Sequence, residues 1–439
     1  MKNIFIIIFS MALALPATAQ EELGTHFMRG VWQANKTNPA LLPEGKFVIG
    51  LPGVYNNLNI TSITYNDLVI DDANGDPVLD IDNAIAELED DNRIRENLEV
   101  ETISLAIRLG DVMLSAGHST KFNAFLNYPK TLPQLIWQGN AQFIGQNVDF
   151  GSDLQLFGYN EFFLGAALNI NKNLTIGARA KWLSGFGDVS TDRTRLNLLT
   201  EEEAYRLTLD ADFRVNSTGS IAYDGFRDFT VNYDFASFEG EQLFNQNNGL
   251  AFDLGAHLQL GRLDLAASVL DLGGTINWEE NVQNFTLNGT FPYQGLDVAQ
   301  DILNDEENLG NAIDTLLETY EFVETQETYT TDLPLRYYLS GSYQLNDTWR
   351  LGGMLYNETY RDETFTAAAV GANVQLFSWL NAGATYAFRS ERFDNLGVNT
   401  NMQFGPVQLI TMTDNLLSAL RPQDTNSANV RVGLNLVFK

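Results

Sequence analysis

Ala428-Asn429-Val430-Arg431-Val432-Gly433-Leu434-Asn435-Leu436-Val437-Phe438-Lys439 closes the chain. Alternate residues of a strand point to opposite faces. One face therefore reads Ala428, Val430, Val432, Leu434, Leu436, Phe438, wholly apolar. The other reads Asn429, Arg431, Gly433, Asn435, Val437, Lys439. Any half-buried antiparallel strand alternates in this way. An aromatic in the penultimate place suits a last strand that closes a ring against the first. The fold turns on whether the remaining residues supply matching strands.

They do so from residue 103 onward. Ile103, Leu105, Ile107 and Leu109 alternate with smaller or polar residues, turn at Gly110-Asp111, and continue as Val112, Leu114 and Ala116. Phe162, Leu164, Ala166 and Leu168 turn at Asn171-Lys172-Asn173 into Leu174, Ile176, Ala178, Ala180 and Trp182. Gly, Asn and Asp at such tight turns are hairpin connectors. Opposite that apolar face stand Arg179 and Lys181. Tyr205, Leu207, Leu209, Ala211, Phe213 and Val215 are interleaved with Arg206, Asp210, Asp212 and Arg214. Charge facing away from pure hydrocarbon suits a barrel with a polar lumen and lipid outside. Arg179, Lys181, Arg206, Asp210, Asp212, Arg214, Asp253 and Arg431 are the candidate lumen-facing residues. A slip of one residue would turn charge into lipid, at ~2–4 kcal/mol per basic residue near mid-bilayer.

Seven short turns, near 110, 172, 217, 261, 346, 378 and 405, give fourteen strands, and the first and last make sixteen. Longer segments, notably Lys121–Gln155 and Asn277–Leu333, connect the hairpins at the other end. Short turns on one side and long loops on the other is the asymmetry of outer-membrane barrels, with the short side periplasmic. The first strand is expected from Phe47 through Tyr55 toward Thr64, with a bend at Pro52-Gly53. Helical spacing appears in three loops: Ile81, Ile85 and Leu88; Leu132–Trp137; and Val298, Ile302, Leu309, Ile313, Leu316 and Leu317.

The 439 residues include no cysteine, so no disulfide or thiolate site exists, and the net charge is −30. A balance this acidic argues against nucleic acid as a partner. Asp71–Asp91 holds nine acids and Asp297–Asp332 eleven, neither with a Lys or Arg; both read as solvated loops. Lys2, the apolar run Ile4–Leu15 and Ala17-Thr18-Ala19 form a secretory signal peptide over residues 1–19, too short to span as a helix. No later segment reaches the ~20 apolar residues of a membrane helix, so a spanning chain must be a closed barrel.

Catalysis is not expected. His26, His118 and His257 stand far apart, outside any metal spacing. His118 and Ser119 are adjacent and face opposite ways on a strand, so they cannot act as base and nucleophile. Asp71-Asp72-Ala73-Asn74-Gly75-Asp76 reads as a turn rather than a calcium loop. Leu272-Gly273-Gly274 is no phosphate cradle. No cofactor is called for. Trp182, Trp278 and Trp349 lie near strand ends, where aromatic belts form.

Arg29–Pro43 with Asn38-Pro39-Ala40, followed by Ile49-Gly50-Leu51-Pro52, resembles the start of an uncharacterised Bacteroidota outer-membrane barrel family known only as a domain of unknown function. Leu132-Pro133 with Gln138-Gly139-Asn140, Gly249–Ala256, Val269–Gly273, Gly405–Leu409 and Asp414-Asn415 extend the likeness over nearly the whole mature chain. The family is distantly similar to FadL-like fatty-acid transporters and to the PorV and PorP/SprF barrels of type IX secretion and gliding. Residues 20–46 carry no alternation and read by themselves as an irregular segment that packs somewhere. The FadL resemblance implies fourteen strands and makes residues 20–46 a lumen plug ahead of a barrel over 47–439, with Arg29, Trp32, Asn38, Pro39 and Ala40 as its marked residues. The expected fold is an all-β transmembrane antiparallel barrel of 14–16 strands with that plug and short loop helices. Implied partners are outer-membrane lipid and either a small hydrophobic molecule in transit or a protein of the secretion or gliding machinery.

Overall fold

The alternation that ends the chain finds its partner where the strand pattern begins. In the computed structural model Phe47–Gly50 runs antiparallel to the last strand from Phe47↔Phe438 to Gly50↔Asn435, and Gly53–Ile60 continues the lane from Val54↔Val432 to Asn59↔Ser427. Both segments pair on their other side with Asp91–Leu109, so the ring is closed and leaves no edge in lipid. The structure describes residues 22–439 except 73, 203–205, 220, 224–228, 232–242, 295–321, 362 and 389–395. The signal peptide expected over 1–19 and the helical spacing from Val298 to Leu317 lie outside the described residues.

Fourteen strands make the wall. They are β1 (Phe47–Gly50 with Gly53–Ile60), β2 (Asp91–Leu109), β3 (Val112–Pro129), β4 (Asp153–Asn169), β5 (Leu174–Thr200), β6 (Asn248–Leu260), β7 (Leu263–Trp278), β8 (Leu335–Gln344), β9 (Trp349–Tyr360), β10 (Glu363–Phe377), β11 (Leu380–Phe388), β12 (Leu396–Phe404), β13 (Val407–Thr413) and β14 (Ser427–Phe438). The count of sixteen is corrected at one turn. Asn216–Gly219 does not join two spanning strands. Arg206–Gly219 pairs with the upper half of β5, ending at Gly219↔Gly187, and β6 takes the same lane below it from Asn248↔Ser184. Two pattern segments share one lane; the other six turns give twelve strands, and the first and last make fourteen.

The outward face carries Ile103, Leu105, Ile107, Leu114, Leu164, Ile176, Leu254, Leu339, Leu351 and Val432, all well exposed. Exposed leucine and isoleucine around a whole circumference is what a bilayer covers. Rings gather at the short-turn end: Phe377, Trp379 and Phe404 stack at 5.2–5.5 Å, and Phe47 lies 6.0 Å from Phe438. Trp182 also faces outward, between Phe162 and Phe244. Trp278 is the correction to the belt expectation: it is fully buried and donates Nε1–H to Thr331 Oγ1 at 2.9 Å.

Above the wall, Arg206–Gly219 pairs with Gln283–Gln294 and β5 to form an extension. Its apolar face (Val189, Leu196, Ala211, Phe213, Val215, Leu287) packs with Phe122, Phe150 and Leu154. The loop helices appear as Ile81–Glu87, which buries Ala84 and Ile85, and as a turn at Thr131–Pro133 running into a π-helix over Gln134–Gln138.

Candidate functional site: the filled interior

Residues 22–43 lie inside the ring, and Lys46 already bonds into the wall, from its N–H to Phe438 O and from Arg108 N to its carbonyl, both at 2.8 Å. Two short helices form inside, α1 (Leu23–Phe27) and α2 (Trp32–Thr37). Neither is long enough to hold itself in water, so the wall holds them. The Asp414 carboxylate, at the end of β13, accepts from Leu23 N at 3.1 Å and Gly24 N at 2.8 Å, satisfying first-turn donors of α1. Pro39 closes α2 by denying it a further donor.

His26 is fully buried. Its Nδ1 meets Thr37 Oγ1 at 2.9 Å, its Nε2 meets Ser340 Oγ on β8 at 2.8 Å, and its ring stacks on Tyr338 at 5.2 Å. Burial first, then the nearby Arg29 charge, push its pKa down to about 3, so the ring is neutral. Arg29 is also buried; desolvation and Arg350 lower it to about 10, still charged, and it donates to His26 O at 2.8 Å. Trp32 lies 6.2 Å from Phe163. Around Trp32, Asn35 and Pro39 the remaining void is only about 10 Å³, room for no more than one water.

Asn38-Pro39-Ala40 docks on bare backbone. Asn38 Oδ1 caps Ala40 N at 2.8 Å, and Nδ2 donates to the carbonyls of Ala256 (3.3 Å) and Ala267 (3.0 Å) on β6 and β7. A Cβ on Gly255 would fall 2.0 Å from Asn38 Oδ1, and one on Gly177 would fall 2.5 Å from the Pro39 carbonyl. Glycine at both wall positions is therefore a steric requirement of the turn.

Charged groups meet the segment from the wall. Lys181 Nζ sits 2.8 Å from Asp253, 2.7 Å from Asp271 and 3.6 Å from Glu161; Arg179 reaches Asp253 at 3.1 Å and Asn35 O at 2.9 Å. Arg431 pairs with Glu22, Glu99 and Glu101 beneath the Tyr55 ring, and Lys36 joins Glu99 at 2.5 Å. Burial alone would lower the Lys36 pKa, but Glu101 and Glu99 raise it. Arg179, Lys181 and Asp253 thus stand together in one buried group of ions, and Arg431 stands in another with Glu22, Glu99 and Glu101. Arg206, Asp210 and Asp212 do not: they are half exposed on the extension, paired with Glu201, Arg195 and Arg193. Arg214 is mostly covered and reaches Glu327 at 2.9 Å.

Further up the strands the interior changes character. Phe125, Phe157, Tyr159, Trp278, Tyr338, Tyr356, Tyr360 and Phe365 form one buried cluster with Leu183, Ile276 and Leu333. It meets the lead segment through Leu23 and Phe27.

Sequence reasoning missed Glu99, Glu101, Glu161, Asp271, Gln33, Asn435 and the role of Asp414. Glu99 and Glu101 share odd parity with Ile103–Leu109, which assigns them to the lipid face. The register shift between Glu101 and Ile103 against β3 flips them inward. Asp414-Asn415 was visible only as one of the motifs that carry the family resemblance. Its use is to cap α1 with one residue and Leu416–Leu420 with the other.

The model of one protein family, described as a family of unknown function (DUF5723), matches residues 39–414. No curated protein matches the sequence. Among solved structures the chain resembles the Ralstonia pickettii toluene transporter TbuX (12% identity, 93% of this chain and 94% of that one, TM-score 0.41). It also resembles the P. putida toluene transporter TodX (11%, 92% and 93%, 0.41) and a Pseudomonas aeruginosa FadL homologue (11%, 96% and 99%, 0.40).

Proposed function

The chain belongs to this family of unknown function, and we propose that it is an outer-membrane barrel that admits a small hydrophobic molecule from the cell-surface side. Residues 20–46 act as its plug, and residues 1–19 direct its export. The observation that carries the reading is the aromatic upper interior. A water-filled barrel lines its lumen with polar groups. Here Phe125, Phe157, Trp278, Tyr356 and Phe365 face inward and are buried together, which suits an apolar ligand. Passage then requires the plug to shift, because its fit against β3–β5 leaves only about 10 Å³.

That same tight fit favours a second reading, a non-transporting barrel that serves as a partner of secretion or gliding machinery. Flux of an apolar fluorophore into liposomes separates the two. Transport predicts uptake by the full chain, faster uptake without residues 20–46, and slower uptake in Phe157→Ser with Tyr356→Ser. Absence of uptake in both the full and the shortened chain overturns it and leaves the partner reading.

A further inference from the structure

We propose that the hairpin formed by Val69–Asp71 and Pro77–Leu79, at the long-loop mouth, is a docking site for a basic, extended polypeptide segment of another protein. The segment adds as a third strand. This goes beyond passage of a small molecule and does not depend on it.

Among the described residues the hairpin pairs only with itself, in the register Val69↔Leu79, Ile70↔Val78, Asp71↔Pro77, as a two-stranded sheet separate from the barrel. A lone two-stranded ribbon is marginal in water, and this one exposes Ile70, Val78 and Leu79, the last at 65%. Its base is nonetheless fixed. Asn83 Nδ2 donates to Asp67 O at 2.8 Å, Asp80 N to Leu68 O at 2.8 Å, and Asn66 to Asp424 at 2.7 Å. The following helix buries Ala84 and Ile85, and Lys130 Nζ caps the carbonyls of Ala86 and Leu88. An apolar ribbon is thus held ready on an ordered base, with nothing laid on it among the described residues.

Two features say what covers it. The first is the edge. Bonds from Asp72 N to Asp76 O and from Asp80 N to Leu68 O fix the ladder's alternation, which leaves the N–H and C=O of Asp71 on the outer edge. Pro77 has no N–H and blunts the opposite edge. One edge therefore accepts a strand. The second is charge. From Phe47 to Asn92 there is no Lys or Arg, while Asp71, Asp76, Asp82 and Glu87 are exposed around the ribbon. Asp72 is engaged within the turn, where the N–H groups of Asp76 and Asn74 hold its carboxyl below the usual range. A cationic strand with apolar residues on one face matches both features.

The test uses the full chain in detergent or nanodiscs and three labelled peptides of about eight residues, a length typical of a strand: alternating Lys–Val, Lys–Ser and Glu–Val. Expected is saturable binding of Lys–Val, about tenfold or more tighter than Lys–Ser. That advantage disappears in Ile70→Ser with Val78→Ser. Asp71→Asn with Asp76→Asn weakens both basic peptides and leaves the ribbon's apolar face intact. Heat-modifiable gel mobility checks that each variant barrel is folded. Equal binding of the two basic peptides, binding of Glu–Val, or an unchanged Lys–Val advantage in the serine variant overturns the proposal. So does finding that the ribbon partitions into lipid vesicles or pairs two copies of this chain instead.

Discussion

Gln33 and Asn435, 402 residues apart, exchange a reciprocal pair of amide hydrogen bonds, Gln33 Nε2 to Asn435 Oδ1 at 3.2 Å and Asn435 Nδ2 to Gln33 Oε1 at 2.9 Å. The pair joins α2 to the strand that closes the ring, and Asn435 also donates to Gln408 at 3.0 Å. Gln33→Ala removes both bonds and leaves Asn435 half satisfied, at about 1–3 kcal/mol. The expected outcome is a barrel that stays folded while protease cuts within residues 20–46 about tenfold or more faster. Unchanged cleavage would show that the pair does not hold the segment.

His26 makes that holding pH-dependent. Its folded pKa of about 3 lies below the ordinary value of 6.5. The displaced segment therefore binds a proton that the docked one refuses. Docking is at full strength above pH 6.5 and weakens as pH falls toward 3, by about 1.4 kcal/mol per unit. Protease protection of residues 20–46 should decline through that window. His26→Gln, which keeps a hydrogen-bonding side chain without the titration, should flatten the decline; an equal slope in the variant would exclude His26 as its source.

Gly255→Ala places a Cβ 2.0 Å from Asn38 Oδ1 and 2.9 Å from Pro39 Cδ, and the Asn38 side chain is tied in place by its bonds to Ala256 O, Ala267 O and Ala40 N. The variant should expel Asn38-Pro39-Ala40 and raise single-channel conductance. Gly110→Ala, in a turn where a Cβ would meet nothing within 4 Å, should leave conductance unchanged, with a loss of only about 1 kcal/mol from its positive φ of 64°. Equal conductance in the two variants would count against the steric account.

Leu164 is 71% exposed on the outward face of β4. Leu164→Arg should destabilise the barrel by about 2–4 kcal/mol in lipid vesicles. Arg206→Leu, on the half-exposed extension, should change stability by no more than about 0.5 kcal/mol. Reversible unfolding in urea measures both. A tolerated arginine at 164 would place that residue outside hydrocarbon.

How far residues could be read from sequence depended on whether alternation ran unbroken. In β14 it did, so Arg431 was assigned to the inner face from spacing alone. In β2 one extra residue between Glu101 and Ile103 hid two carboxylates that meet Arg431. In the lane shared by Arg206–Gly219 and β6, turn chemistry at Asn216–Gly219 was real, but the reversal it makes, Thr218↔Ile221, leads into a short strand of the extension rather than a second strand of the wall, so it added strands that are not there.

The sequence by itself determined that two-faced ribbons would close into a ring with hydrocarbon outward, because a period of two is a local property and no edge can be left in lipid. It marked Asn38-Pro39-Ala40 without a reason for it. Only the tertiary structure decided that residues 22–43 turn back into the ring, that Gly177 and Gly255 leave the space they need, and that Asp414 and Arg431 meet them from the far end of the chain. Those contacts join residues hundreds of positions apart, and neither spacing nor composition encodes a pairing that exists only once the wall has closed.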